Sequence, residues 1–222
     1  MTPFRDRRDA GRQLATHIQI EQFRRPLVLA LPRGGVPVAF EVAQALRAPL
    51  DAFVARKLAA PGHPELGIGA IAEGSDNFVV SATARDFGVT RDELVIQATR
   101  EQRELARRVA RYRGGRRLPD MAGRDVIVVD DGLATGVTAE AALRALRTRN
   151  PARLLLAVAV CAADAGRRLT GVADSVLCVL APPNLRAVGL WYEDFEPTSD
   201  AEVIQLLDQA RTPRTGVPPR VR

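Results

Sequence analysis

Lysine is almost missing from this chain. Lys57 is the sole one, and arginine makes up the rest of the 32 basic residues. A bias toward arginine explains the shortage. A lysine kept against that bias fits a position that wants a compact, mobile ammonium, though chance survival explains it equally well. Cysteine is nearly as scarce. Cys161 and Cys178 both lie in apolar, strand-like runs, and small buried thiols are expected there rather than a disulfide. No apolar run approaches the length of a membrane span. The first residues, Met1–Asp9, are charged and no apolar segment follows, so a cytoplasmic protein without a secretory signal is expected. Aromatics make up 5% of the chain, and three of them fall close together near residue 192.

What is present is ordinary for a soluble protein. The 222 residues are 46% hydrophobic and 26% charged, enough for one sizeable core. The formal charge of +6 and the pI of about 10.5 favour anionic ligands without identifying nucleic acid.

One stretch organises the rest. Val126–Thr138 reads VIVVDDGLATGVT. The aliphatic run without alternation predicts a parallel strand buried on both faces. Small residues follow, then an alanine- and leucine-rich helical pattern over residues 139–146. In such a strand–loop–helix unit, the loop N–H groups and the helix start form an anion site. Thr135 and Thr138 add hydroxyls, and Thr138 is a candidate cap. Asp130 and Asp131 do not suit a loop that only grips phosphate. Two carboxylates beside a phosphate cradle suit a ligand with both phosphate and diol, or a bound Mg²⁺. A sugar phosphate fits better than a dinucleotide.

The surroundings predict more units of the same kind. Asp6–Phe23 reads as a helix with Ala10, Leu14, Ile18 and His17 toward one face, stopped by Pro26. Leu27–Leu31 is a short strand. Pro32-Arg33-Gly34-Gly35-Val36-Pro37 is then a glycine loop before a helix over Val38–Arg47. Leu50–Ala55 is a strand closed by Arg56-Lys57. Leu58–Gly69 holds Pro61, Gly62, Pro64, Gly67 and Gly69, too many breakers for regular structure. It reads as a long loop of the kind that forms lids. Glu65 and Glu73, in or beside it, are expected to be solvated loop charges. Asn77–Ser81 predicts a strand able to pair with Gly69–Ala72. Thr90–Arg113 is a long polar helix with i,i+4 pairs such as Glu104 with Arg108. Arg153–Val160 and Ser175–Leu180 are further strands around a short helix, Asp164–Leu169. Ala201–Arg211 is a final helix. Strand–helix alternation predicts an α/β fold with parallel strands. The aromatic cluster Trp191, Tyr192 and Phe195 either closes the core or faces a ligand.

The motif VIVVDDGLATGVT resembles the 5-phosphoribosyl-1-pyrophosphate (PRPP) motif of type I phosphoribosyltransferases. Other features in that family's order support the likeness from about Leu27 to Phe195. The resemblance implies a mostly parallel sheet with helices on both faces and a small hood, about residues 182–198. It implies a single domain over 1–211 and a disordered tail over 212–222. Asp130 and Asp131 would bind the ribose hydroxyls. Ala134, Thr135, Gly136, Val137 and Thr138 would hold the 5′-phosphate. Arg33, Gly34 and Gly35, on a loop that often carries a non-proline cis peptide, would hold pyrophosphate together with Arg56 and Lys57. As in orotate phosphoribosyltransferases, Arg56 and Lys57 would open a flexible catalytic loop with His63 beyond them. Lys57, Arg56 and Asp131 are the catalytic candidates. Trp191, Tyr192 and Phe195 are hood residues that would stack on a base. Mg²⁺ would enter with PRPP, with Asp130 and Asp131 as candidate ligands.

The implied reaction transfers 5-phosphoribose from PRPP to a nitrogenous base and releases pyrophosphate. A homodimer is expected, and neither membrane nor nucleic acid is an expected partner. Two departures disfavour a 6-oxopurine acceptor. Ala134 stands where hypoxanthine-guanine enzymes carry a third aspartate, and their lysine for the 6-oxo group is missing. The alternatives are a PRPP-binding regulator without transferase activity and a weak paralogue that binds another ribose phosphate. No nucleic-acid-reading module supports the regulator.

Overall fold

A computed structural model describes residues 3–19, 21–60, 63–81, 84 and 86–212. The chain runs α1 (Arg7–Ile18), β1 (Leu27–Ala30), α2 (Gly35–Leu46), β2 (Leu50–Ala52), β3 (Ala55–Ala60), β4 (His63–Ala72) and β5 (Phe78–Val80). It continues with α3 (Arg91–Arg113), β6 (Asp125–Leu133), α4 (Val137–Arg147), β7 (Arg153–Cys161), α5 (Ala163–Leu169) and β8 (Ser175–Leu180). A 3₁₀ turn over Val188–Trp191 and α6 (Asp200–Arg211) complete it.

Five strands form a parallel sheet in the order β2-β1-β6-β7-β8. The aliphatic runs that predicted two-sided burial lie at its centre. Val126 and Val128 of β6 point into a core shared with α4 and α5. Ile127 and Val129 point into another, shared with α1, α2 and α6. Each such side chain contributes about 1.5–3 kcal/mol by leaving water. The predicted α/β class is the observed one, with helices on both faces.

The helices after β1 and β6 leave on opposite faces. α2 packs with Ile127 and Val129, and α4 with Val126 and Val128. Neighbouring parallel strands whose crossovers diverge open a crevice at their C-terminal ends. The crevice between β1 and β6 is therefore where the glycine loop and the acidic pair meet.

A second sheet departs from expectation. β3, β4 and β5 form an antiparallel sheet. The breaker-rich segment read as a loop is largely strand, and Arg56 and Lys57 lie inside β3. The main-sheet strand β2 ends at Ala52 rather than Ala55. The glycines explain the difference. A Cβ on Gly69 would sit 2.4 Å from the Val79 carbonyl oxygen, so glycine here permits close strand approach rather than ending the strand. Phe78–Val80 pairs with Gly69–Ile71 as predicted.

Leu58, Ile68 and Ile71 pack on Leu94 and Ala98 of α3. Ala55, Ala70 and Ala72 pack in the cluster that holds α4. The hairpin is thus sandwiched between α3 and α4. The long polar helix is as read, with a Thr90–Glu93 capping box and Gly114 in left-handed conformation at its end. Glu104 pairs with Arg108 at 2.8 Å.

Glu73 is not a solvated loop charge. It is 7% exposed and accepts from Arg113 at 2.7 and 3.0 Å. Arg113 also donates to the Ala52 carbonyl at 2.9 Å. This buried pair fastens the hairpin and the end of α3 to β2. Burial pushes the Glu73 carboxyl above its usual range, and Arg113 offsets only part of that. Arg113→Met is expected to cost about 3–5 kcal/mol by stranding the carboxylate, whereas Arg113→Met with Glu73→Leu recovers most of the loss. Urea denaturation of the two variants checks this.

Two smaller expectations also change. The first helix ends at Ile18, well before Phe23, and His17 is exposed. Cys161 and Cys178, on the adjacent strands β7 and β8, form a disulfide. Sequence alone could not place them side by side. Residues 213–222 and the side chains of His63 and Glu65 lie outside the described residues. Among the described residues, no helix is long and apolar enough to cross a membrane.

Candidate active site at the sheet switch point

The acidic pair ends the buried part of β6. Asp130 Oδ1 accepts the Asp131 N–H at 2.9 Å. Burial, and then the Asp131 charge, push the Asp130 carboxyl well above its usual range. Asp131 instead accepts from Arg7 Nε at 2.7 Å. Two adjacent carboxylates thus sit in unlike surroundings.

The glycine loop lies directly against this pair. The Pro32–Arg33 peptide is cis, as the family resemblance implied. Leu31 N donates to the Val129 carbonyl at 2.9 Å and locks the loop to β6. A Cβ on Gly34 would fall 2.0 Å from Asp131 Oδ2, and one on Gly35 would fall 2.7 Å from the Val129 carbonyl oxygen. The two glycines therefore predict different failures. Gly34→Ala meets the movable end of a side chain, so it should displace the Asp131 carboxylate and weaken ligand binding while the fold survives. Gly35→Ala meets backbone and should cost about 1–3 kcal/mol of stability. Thermal melts beside ligand titrations separate the two.

Past Asp131 the chain forms an exposed turn at Ala134 and Thr135 and enters α4. The N-cap is Gly136, in left-handed conformation at φ 76°, with no side-chain cap. Thr138 is therefore inside the helix and is not its cap. With no side chain at the cap, the first N–H groups of α4 are left for a ligand. Arg168 of α5 donates to the Thr135 carbonyl at 2.6 Å. That places a guanidinium at the rim of the phosphate-type loop, which the sequence did not reveal.

The remaining candidates separate. Arg33 is exposed and leans toward Asp200, 4.0 Å away. Asp200 also accepts from Tyr112 at 2.6 Å and pairs with Arg111 at 3.0 Å. Burial and that carboxylate push the Tyr112 hydroxyl up to about 12. Arg56 faces α3 and pairs with Glu101 through Nε at 2.7 Å. Lys57 lies on the other face of β3. It is in register with Ala70, which packs in the α4 cluster. Lys57 is exposed and projects on the side of the hairpin that α4 covers. The Arg-Lys pair is therefore divided between two faces.

The hood closes over the loop. A Cβ on Gly132 would come 2.3 Å from a Val188 methyl. Tyr192 is buried, donates to the Asp131 carbonyl at 2.6 Å and packs against Phe4 and Phe195. Phe195 carries the Arg7 guanidinium on its ring, 3.9 Å from the centroid. Tyr192 thus braces the motif, and a ring face of Phe195 is already occupied. Trp191 lines a cavity of about 270 Å³ with Pro3, Asn184, Arg186 and Leu190.

Residues 7–182 match the family model of the phosphoribosyl transferase domain, and the chain belongs to that family. A Mycobacterium tuberculosis relative, provisionally named a phosphoribosyl transferase, is 44% identical over 212 residues, which cover 95% of this chain and 47% of the relative. The chain thus spans about half the length of the curated relatives it matches. A solved Thermus thermophilus protein is 40% identical with a TM-score of 0.78, covering 94% of this chain and 99% of that one. A Neisseria gonorrhoeae protein solved with bound ppGpp shares the fold at 14% identity and a TM-score of 0.50, covering 95% and 99% of the two chains.

Proposed function

We propose that this protein transfers 5-phosphoribose from PRPP to a nitrogenous base and releases pyrophosphate. The observation that carries the reading is the meeting of Gly34 and Gly35 with Asp130 and Asp131 at the sheet switch point. Next to them stands the uncapped start of α4. One ligand with a diol, a 5′-phosphate and a pyrophosphate would engage all three.

In this reading Asp130 and Asp131 accept from the ribose hydroxyls. Ala134 to Thr138 and the first N–H groups of α4 take the 5′-phosphate. Arg33 and the Gly34-Gly35 backbone face the pyrophosphate, and Lys57 meets its growing negative charge. A ring nitrogen of the base forms the bond to C1 as the C1–oxygen bond to pyrophosphate breaks. The bonding electrons leave with pyrophosphate, a proton carried by the base ring goes to water or to the departing pyrophosphate, and no residue forms a covalent intermediate. Trp191 is the hood aromatic that best suits contact with the base.

Among the described residues no group of three metal-ligating side chains occurs. Two adjacent carboxylates still fit Mg²⁺, which commonly takes one or two carboxylates and completes its shell with water and substrate phosphates. Bound there, it would neutralise phosphate charge. The test is PRPP turnover with Mg²⁺ against a panel of nitrogenous bases, with mass detection of nucleotide products. Product with one base supports the reading. PRPP binding without turnover of any base favours the regulator.

A further inference from the structure

The N-terminal segment is built into the site. Phe4 forms a parallel bridge with Tyr192. Phe4 N donates to the Trp191 carbonyl and Glu193 N to the Phe4 carbonyl, both at 2.8 Å. Asp194 N donates to the Arg5 carbonyl at 2.9 Å. This short ladder holds the start of α1 against the hood, and the Asp6 side chain caps the helix.

Arg7, the first residue of α1, then reaches the centre of the site. Its Nε donates to Asp131 Oδ2 at 2.7 Å, and an Nη donates to the Glu196 carbonyl at 2.7 Å. Its guanidinium lies over Phe195. A Cβ on Gly34 would approach Arg7 Nε to 3.1 Å. One guanidinium therefore touches the ribose-type carboxylate and the hood, at the edge of the glycine loop. Its side chain is 11% exposed and that of Asp131 15%.

A planar cation can stack on a ring while its edge donates in two directions, which an ammonium cannot do. The contacts thus fix the Asp131 carboxylate rather than merely neutralise it. A carboxylate held in place before the ligand arrives loses less freedom on binding. We propose that Arg7 is a positioning residue for ribose recognition, clamping Asp131 between the glycine loop and the hood. The proposal rests on the PRPP reading above. It names a residue that acts through Asp131 and need not touch the ligand.

The test is calorimetry of PRPP with Mg²⁺ on the parent, Arg7→Gln, Asp131→Asn and the double variant, with thermal melts of each. Arg7→Gln should weaken PRPP binding about tenfold or more, the usual scale for a residue that orients a ligand-binding side chain. Arg7→Lys should recover only part of the loss. With Asp131→Asn already present, Arg7→Gln should change affinity by less than about twofold, because the group it positions has gone. A full Arg7 effect that persists in that background overturns the proposal, since Arg7 would then act on the ligand itself. Parent affinity in a folded Arg7→Gln protein also overturns it. If Arg7→Gln does not fold, Phe195→Leu removes the stack while keeping both charges. Its smaller loss must likewise vanish with Asp131→Asn, and persistence overturns the proposal. A parent that binds no PRPP overturns the functional reading instead, and that failure shows without any substitution.

Discussion

Asp130→Asn combined with Asp131→Asn is expected to abolish useful PRPP affinity while leaving the protein folded. Each substitution keeps the side chain's shape and removes its charge. The ribose hydroxyls lose their carboxylate acceptors in a largely desolvated site. Removing such partners costs about 2–5 kcal/mol, which is about 30-fold to several thousandfold in affinity. The fold should tolerate the change. Burial and the neighbouring carboxylate both oppose ionisation of Asp130, so an uncharged amide at that position is not expected to cost stability. Calorimetry with Mg²⁺ and a thermal melt give the two numbers needed. Unchanged PRPP affinity in the double variant removes the pair from the site.

The second large effect is expected at Lys57. The register of β3 against β4 turns this side chain to the face that α4 covers, and turns Arg56 the other way onto Glu101. Of the two cations, Lys57 is the one on the face shared with the α4 cluster. Stabilisation that grows only as the leaving group gains charge appears in kcat rather than in ground-state binding. Loss of one such donor typically costs about 10²–10³ in kcat. Lys57→Ala should slow single turnover by about that factor with a smaller change in PRPP affinity, and Lys57→Arg should restore only part. Arg56→Ala, by contrast, should act mainly on the packing of the hairpin against α3. A Lys57→Ala protein as fast as its parent at saturating PRPP and acceptor sinks this assignment.

The parts of the molecule legible in its sequence are those whose causes are local. The run Val126–Val129 has no alternation because both its faces are covered, and that is visible in four letters. The acidic pair, the small loop and the helix start follow in chain order, so this part of the candidate site could be read directly. The hairpin was hidden because Gly67 and Gly69 read as breakers. Their actual cause is close approach by Lys57 and Val79, a property of neighbouring strands. Glu73 looked like a loop charge because its partner Arg113 is 40 residues away. Arg7 carried no signal at all, since its partner lies 124 residues further on. Three basic residues at a helix start, Arg5, Arg7 and Arg8, look like any solvated turn. Nothing local marks the middle one as half-buried against an aromatic ring.

The ladder between Phe4 and the hood has a practical side. The first residues of a chain are usually the safest place to add an affinity tag or to trim. Here they are not. A truncation that removes Phe4 to Arg7 would take a fully buried ring from its cluster with Ala159, Val160 and Tyr192, and the capping Asp6 from α1, at a cost of about 3–5 kcal/mol for the ring alone. It would also strip Tyr192 of a packing partner and Asp131 of its cation. A preparation shortened in this way would lose stability and site geometry together, and an activity screen run on it would mislead. Any tag placed ahead of Phe4 therefore needs a linker long enough to leave Phe4 seated.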